Sequence, residues 1–256
     1  MMAKLTLEEI NGVKGKGFLR NRGTDLFSGR VVPVGTVFTA EQFRALSELA
    51  EKFGNGKLIG TSRQAIEVPG IAYENIPAAI AFAEAHDLHF GGTGAKVRPI
   101  TACKGTTCVF GMYDTQALAK KIHETYYVGW SKVTLPHKFK ISVGGCPNSC
   151  IKPSINDFGV EGNREDGRVV YKIYVGGTWG KTCRMGTALS RKVSEEEILP
   201  ILEKSMLWFR ENGYAKERFG LAIDRLGIEA FEAAIWGDDL LNRREEILDA
   251  PIKTRQ

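Results

Sequence analysis

Two close pairs of cysteines constrain this chain more than any other feature: Cys103-x4-Cys108, and Cys146-x3-Cys150 inside the run Gly144-Gly145-Cys146-Pro147-Asn148-Ser149-Cys150. An iron-sulfur cluster takes the outer ligand of each iron from a deprotonated sulfur, so two thiol pairs brought together suit a redox centre. Zinc also accepts four thiolates, but structural zinc sites usually draw on C-x2-C turns, a spacing neither pair has. Disulfides are disfavoured by the odd count of five cysteines and by an N-terminus, Met1-Met2-Ala3-Lys4-Leu5-Thr6, that lacks a secretory core. Free buried thiols are the plain alternative. Cys183, alone in Lys181-Thr182-Cys183-Arg184, reads as a packed or incidental thiol.

A chain of 256 residues, 43% hydrophobic and 25% charged, has the make-up of an ordinary globular protein of one large or two modest domains. No apolar run approaches a membrane span, and the expected location is cytoplasmic. The formal charge of +5 is spread along the sequence without a basic block or a nucleic-acid reader motif, so neither nucleic acid nor membrane is an expected partner. Isolated Arg and Lys residues near the cysteines suit a small anionic ligand or a polycarboxylate cofactor.

The pattern along the chain suggests three segments. Residues 1–30, polar and glycine-rich, read as an irregular N-terminal arm. Residues 31–90 read as strand, helix, strand, helix: an extended stretch through Phe38, a helix Ala40 to Phe53 opened by a Thr39/Gln42 capping box, a strand near Ala65 to Pro69, and a helix from Asn75 to His86. Phe43, Leu46, Leu49, Ala50 and Phe53 form the apolar stripe of the first helix. After a glycine-rich boundary at Gly91 to Gly94, residues 91–256 hold all the cysteines. Here the pattern predicts a helix from Asp114 to about Tyr126, a strand Lys138 to Val143 leading into Gly144-Gly145-Cys146, and a strand Val169 to Val175. A helix from a Ser194/Glu197 capping box to Asn212 follows, then helical sequence from Glu217 to Leu248 broken at Gly220, Gly227 and Gly237.

These motifs together resemble the sirohaem-dependent sulfite and nitrite reductases over about residues 55 to 225. The resemblance is carried by the Gly-Cys-Pro-Asn-x-Cys run, by Tyr171 to Gly177 as a strand ending in a Gly-Gly turn, by Thr61-Ser62-Arg63-Gln64, and by Leu135-Pro136-His137-Lys138-Phe139-Lys140. Glu217-Arg218-Phe219-Gly220 is a weaker match. The resemblance implies an α+β fold, a ferredoxin-like half domain followed by an α/β domain that binds sirohaem and a 4Fe-4S cluster, and a six-electron reduction of sulfite to sulfide. Nitrite reduction to ammonia and a non-catalytic electron-transfer subunit are the alternatives.

By the same resemblance Cys103, Cys108, Cys146 and Cys150 hold the cluster, with Cys150 as the thiolate shared with the haem iron. Arg63, Arg98, Lys138 and Lys140 match the basic side chains around the anion; guanidinium forks and ammonium groups suit oxyanion oxygens and proton delivery. Lys138 and Lys140 are two apart, so in a strand they share a face. Sirohaem carries eight carboxylates, and Lys104, Lys132, Lys181 and Arg184, with the backbone amides of Gly105 and Gly177, are candidate partners. Asn148 and Ser149 read as tuning the cluster by hydrogen bonding, and His137 as a surface histidine rather than a proton relay.

The departures matter too. The family's first pair is usually C-x5-C, and the chain is about half the length of reductases built from two fused copies. A single copy exposes the surface its twin would cover, which predicts a homodimer. Neither a C-x2-C-x2-C ferredoxin insertion nor a G-x-G-x-x-G fingerprint is present, so electrons are expected from a separate donor, a ferredoxin or a reductase subunit.

Overall fold

The computed structural model describes residues 5–255, which divide between Gly94 and Ala95 into two compact units. The first contains α1 (Leu7–Lys14), β1 (Phe18–Arg20), β2 (Leu26–Val32), α2 (Ala40–Phe53), β3 (Ile59–Gly60), β4 (Ile66–Ala72), α3 (Ile76–Glu84) and β5 (His89–Phe90). Its antiparallel sheet runs β1-β2-β4-β3, with β5 also paired to β2. The described part of the expected irregular arm is therefore regular. A Thr6/Glu9 capping box opens α1, and Phe18, Phe27 and Val31 of β1 and β2 are fully buried. Residues 1–4 of that arm lie outside the described residues.

The capping box read at Thr39 forms, with Gln42 N–H donating to Thr39 Oγ1 at 3.0 Å and Thr39 N–H to Gln42 Oε1 at 3.0 Å. Leu46, Leu49 and Ala50 fill the core beneath α2, while Phe43, read as part of that stripe, is exposed. Asn75 precedes α3 without a side-chain capping bond.

The second unit contains β6 (Thr101–Ala102), α4 (Thr115–Ile122), β7 (Ile141–Gly144), β8 (Phe158–Glu165), β9 (Arg168–Val175), β10 (Thr187–Ala188), α5 (Glu195–Asn212), α6 (Phe219–Leu226), α7 (Ile228–Trp236), α8 (Asp239–Asn242) and α9 (Arg244–Asp249). Its sheet runs β10-β9-β8-β7-β6; β6, β7 and β8 are parallel, and β9 and β10 antiparallel to their neighbours. Asp114 caps α4 through Gln116 and Ala117 N–H, and the helix widens into a π-type stretch over His123–Val128. Gly220, read as a helix break, instead sits inside α6.

The two faces of this sheet differ. Ile141, Phe158 and Val175 align across β7, β8 and β9, as do Val143, Val160 and Ile173, and all six are fully buried in the core shared with the helices. Alternation puts Ser142 and Gly144, Gly159 and Glu161, Lys172 and Tyr174 on the opposite face. Residues 145–157 return across that second face, where Ile151 O accepts from Ser142 Oγ at 3.4 Å and Pro153 packs on Gly144 and Gly159.

Candidate functional site

Parallel pairing sets the cysteines side by side. Strand β6 ends at Ala102 and its neighbour β7 at Gly144, so Cys103 and Gly145-Cys146 leave the same edge of the sheet, the edge where open α/β sheets place their ligands. Cys103 N–H donates to Val143 O at 3.1 Å, Met112 N–H to Gly145 O at 3.1 Å, and Tyr113 OH to Gly144 O at 3.0 Å, stitching the two loops together. Gly145 N–H donates to Cys103 Sγ at 3.2 Å, tying the sulfur of the first loop to the backbone of the second. A Cβ on Gly145 would stand 3.2 Å from that sulfur, so only glycine lets the loops approach without crowding it.

The first loop passes through a 3-10 turn, Gly105–Thr107, with Gly105 buried, Lys104 exposed and Cys108 half-buried. Cys146 is half-buried, while Asn148 and Cys150 are exposed. Two turns, Ser149 N–H to Cys146 O at 3.2 Å and Lys152 N–H to Ser149 O at 2.8 Å, bracket Cys150. Their residues Ser149 and Lys152 have φ of 53° and 52°, left-handed conformations that non-glycine residues adopt at a cost and that gather at functional sites. All five cysteines are free thiols. Among the described residues, no three Cys, His, Asp or Glu side chains converge as a site for one ion; a cubane instead spreads its thiolates, one to each iron.

A cationic cluster lies where β6 and β7 begin. Arg98 N–H donates to Phe139 O at 2.8 Å and Phe139 N–H to Lys96 O at 3.0 Å, which pairs the two entry segments. Phe139 is fully buried whereas Lys138 and Lys140 are half-buried, so the two lysines share the face opposite the core, as their spacing predicts. Burial, then Arg218 and Arg98, lower the Lys138 pKa. His137 is pushed down to about 4 by burial and by Arg218, Lys138 and Arg98, so it is a neutral member of this cluster. Lys138 N–H donates to His137 Nδ1 at 2.7 Å, which leaves the ring proton on Nε2.

Asp157 ties the cluster together. Its carboxylate is fully buried, accepts from Lys140 N–H at 2.8 Å and receives Arg218 Nη2 at 2.9 and 2.8 Å, while its carbonyl accepts from Gly176 N–H at 2.8 Å. Burial pushes its pKa up, opposed by Arg218 and by the bond from Lys140. Asp157 belongs to none of the sequence motifs and Arg218 only to the weak match Glu217-Arg218-Phe219-Gly220; the signal present in the sequence is an acidic residue opening an apolar-glycine alternation, Asp157-Phe158-Gly159-Val160.

The remaining candidates lie on other elements. Arg63, in the first unit, sits half-buried on the β3–β4 turn, which Thr61 fastens by accepting Ala65 N–H at 3.1 Å and Arg63 N–H at 3.3 Å on Oγ1. Gly177 is buried against the return segment, where a Cβ would stand 2.4 Å from Ser154 O. Lys132 and Lys181 are exposed. Arg184 is engaged by Asp224 at 2.6 Å and donates to Gly176 O at 3.1 Å, so in this structure it fastens the Gly-Gly turn. Cys183 is exposed.

Residues 93–243 match the family described as nitrite and sulphite reductase 4Fe-4S domain, and residues 20–86 match the nitrite/sulfite reductase ferredoxin-like half domain. The chain belongs to the nitrite and sulphite reductase family. It is 31% identical over 142 residues to an assimilatory-type sulfite reductase of Nitratidesulfovibrio vulgaris, covering 55% of this chain and 62% of that protein. It is 28% identical over 209 residues to the nitrite reductase [NAD(P)H] of Bacillus subtilis, covering 80% of this chain and 25% of that one. In structure it is similar to the Mycobacterium tuberculosis NirA protein, with a TM-score of 0.79 at 19% identity over 98% of this chain and 49% of that one. The chain thus spans less than two thirds of each of these relatives. The fold is the expected α+β one, a ferredoxin-like half domain followed by a 4Fe-4S domain.

The family's centre is a sirohaem with a 4Fe-4S cluster, and the residues here fit it. Four thiols sit on adjoining loops, one already accepting a backbone N–H, and Lys138 and Lys140 lie on the sheet face that the return segment crosses. Among the described residues no helix is long and apolar enough to cross a membrane.

Proposed function

We propose that this protein reduces sulfite to sulfide in a six-electron reaction, HSO3⁻ + 6 e⁻ + 6 H⁺ → HS⁻ + 3 H2O, with sirohaem and a 4Fe-4S cluster. The observation that carries the reading is the course of two parallel strands. Each is entered through cations, Arg98 before β6 and Lys138 and Lys140 before β7, and each is left through a cysteine, Cys103 and Cys146. In this reading Cys103, Cys108, Cys146 and Cys150 hold the cluster, and Cys150 also ligates the haem iron. The bound pair of centres supplies electrons to the anion.

The chain's own residues supply the rest. Arg98, Lys138 and Lys140 offset the charge of the anion, and Arg63 on its turn is assigned the same task. Lys138, its pKa lowered by burial and by neighbouring cations, gives up a proton more readily than an exposed lysine. Neutral His137 offers an uncharged Nε2–H donor. Lys104 and the amides of Gly105 and Gly177 are assigned to cofactor carboxylates, as are Lys181 and, after release from Asp224, Arg184. Asn148 is assigned to positioning the cluster.

Nitrite reduction to ammonia is the second reading, favoured by the nitrite reductase among the relatives. Electrons are proposed to come from a separate ferredoxin or reductase subunit, and the chain is proposed to pair as a homodimer. Steady-state turnover of both anions with a chemical reductant tests the substrate. Sulfite preferred in kcat/KM supports the first reading; a strong preference for nitrite replaces it with the second.

A further inference from the structure

The geometry points to Arg218 as a further anion-binding residue of the second unit, one that holds an oxygen of an anionic ligand through the Nε–H that Asp157 does not take. This rests on the proposed function for the identity of the anion. Both Asp157 oxygens take the same nitrogen, Nη2. Arg218 Nε is buried and has no hydrogen-bond partner among the described residues. A buried donor on a charged group is costly to leave unpaired, so Arg218 Nε calls for an acceptor.

The neighbours say what that ligand is. Lys138 and His137 both stand within electrostatic reach of Arg218 and also of Arg98, and Lys140 is fastened to the same Asp157. One buried carboxylate faces this group, and no second acid offsets it among the charges acting on His137 and Lys138. Another cation is repelled, whereas an oxyanion or carboxylate oxygen both accepts from Nε and offsets the charge. The side chain is fixed at the entrance to α6 by a buried ion pair, so it meets the ligand with little loss of freedom. The oxygen can belong to the substrate anion or to a sirohaem carboxylate, and the two leave different signatures.

The test uses the holoprotein with Arg218→Gln, and with the double replacement Arg218→Gln/Asp157→Asn, which leaves no buried carboxylate unpaired. If neither variant folds, Arg218→Lys, which keeps the charge but not the fork, takes their place. Sulfite is titrated by visible absorption, carbon monoxide is titrated on the reduced protein as an uncharged haem ligand, and sirohaem per chain is measured. If the substrate is the ligand, sulfite affinity falls about 10- to 100-fold while carbon monoxide affinity and sirohaem content hold. If a cofactor carboxylate is the ligand, sirohaem content falls and the loaded fraction keeps its sulfite affinity. A folded variant that keeps both overturns the inference. A parent protein that carries sirohaem but binds neither sulfite nor nitrite contradicts the proposed function instead, and sirohaem content still decides the case of Arg218.

Discussion

Lys138 and Lys140 share a face but differ in surroundings, and the difference assigns them separate tasks. Lys138 lies against Arg98, Arg218 and neutral His137, whereas the backbone of Lys140 is fastened to buried Asp157. Replacing Lys140 with Met should lower kcat for sulfite at least about 10-fold while the visible spectrum stays that of the parent; unchanged turnover would take Lys140 out of the reaction, and a parent without turnover would favour a non-catalytic electron-transfer subunit. His137 gives a pH prediction. Its folded pKa, about 4, lies below the ordinary value of 6.5, so the unfolded chain binds its proton more tightly. The stability tied to its neutral form is complete above about pH 6.5 and is lost as pH falls toward 4. His137→Gln should therefore lose less Tm than the parent between pH 6.5 and pH 4; equal losses would show that the cluster does not act on the ring. The family resemblance singled out the two lysines in the sequence, and their spacing of two put them on one face. His137, Asp157 and Arg218 were hidden because their roles arise from contacts across 61 residues of chain, Asp157 to Arg218, which no local pattern carries.

At the scale of elements, the helices with capping boxes were legible because the signal is local: Thr39 with Gln42, and Ser194 with Glu197, open α2 and α5 as read. Strand β8 was not. Its sequence Phe158-Gly159-Val160-Glu161-Gly162 has two glycines and a buried acid where a strand normally has β-branched or aromatic residues. The glycines are there because both faces of β8 are closely covered: Pro153 of the return segment presses on Gly159, and on the other face Tyr113 and the Gly145 carbonyl press on Gly162. The same close packing governs the Gly176-Gly177 turn. Gly177→Ala should cost about 1–3 kcal/mol, since its Cβ would meet the Ser154 carbonyl at 2.4 Å, and thermal unfolding reads the loss. An unchanged Tm would mean that the return segment is not seated as described.

On the scale of the whole molecule, the second unit exposes Val109 and Phe110 beside Cys108, and also Val128, Trp179 and Met185. Exposed apolar side chains next to a redox loop accord with the proposed pairing of two copies. Size-exclusion chromatography with light scattering should give twice the mass of one chain at micromolar concentration, and monomer alone would remove that proposal. In the proposed centre the two cysteine pairs hold a cluster joined to a sirohaem, with Cys150 shared. Iron, acid-labile sulfide and extractable tetrapyrrole, measured together on anaerobically purified parent protein and Cys150→Ser, test it most directly. The parent should yield about five irons, four sulfides and one sirohaem per chain, and the variant should lose cluster and sirohaem together. A parent without sulfide or tetrapyrrole, or a variant that keeps both centres, would contradict the account.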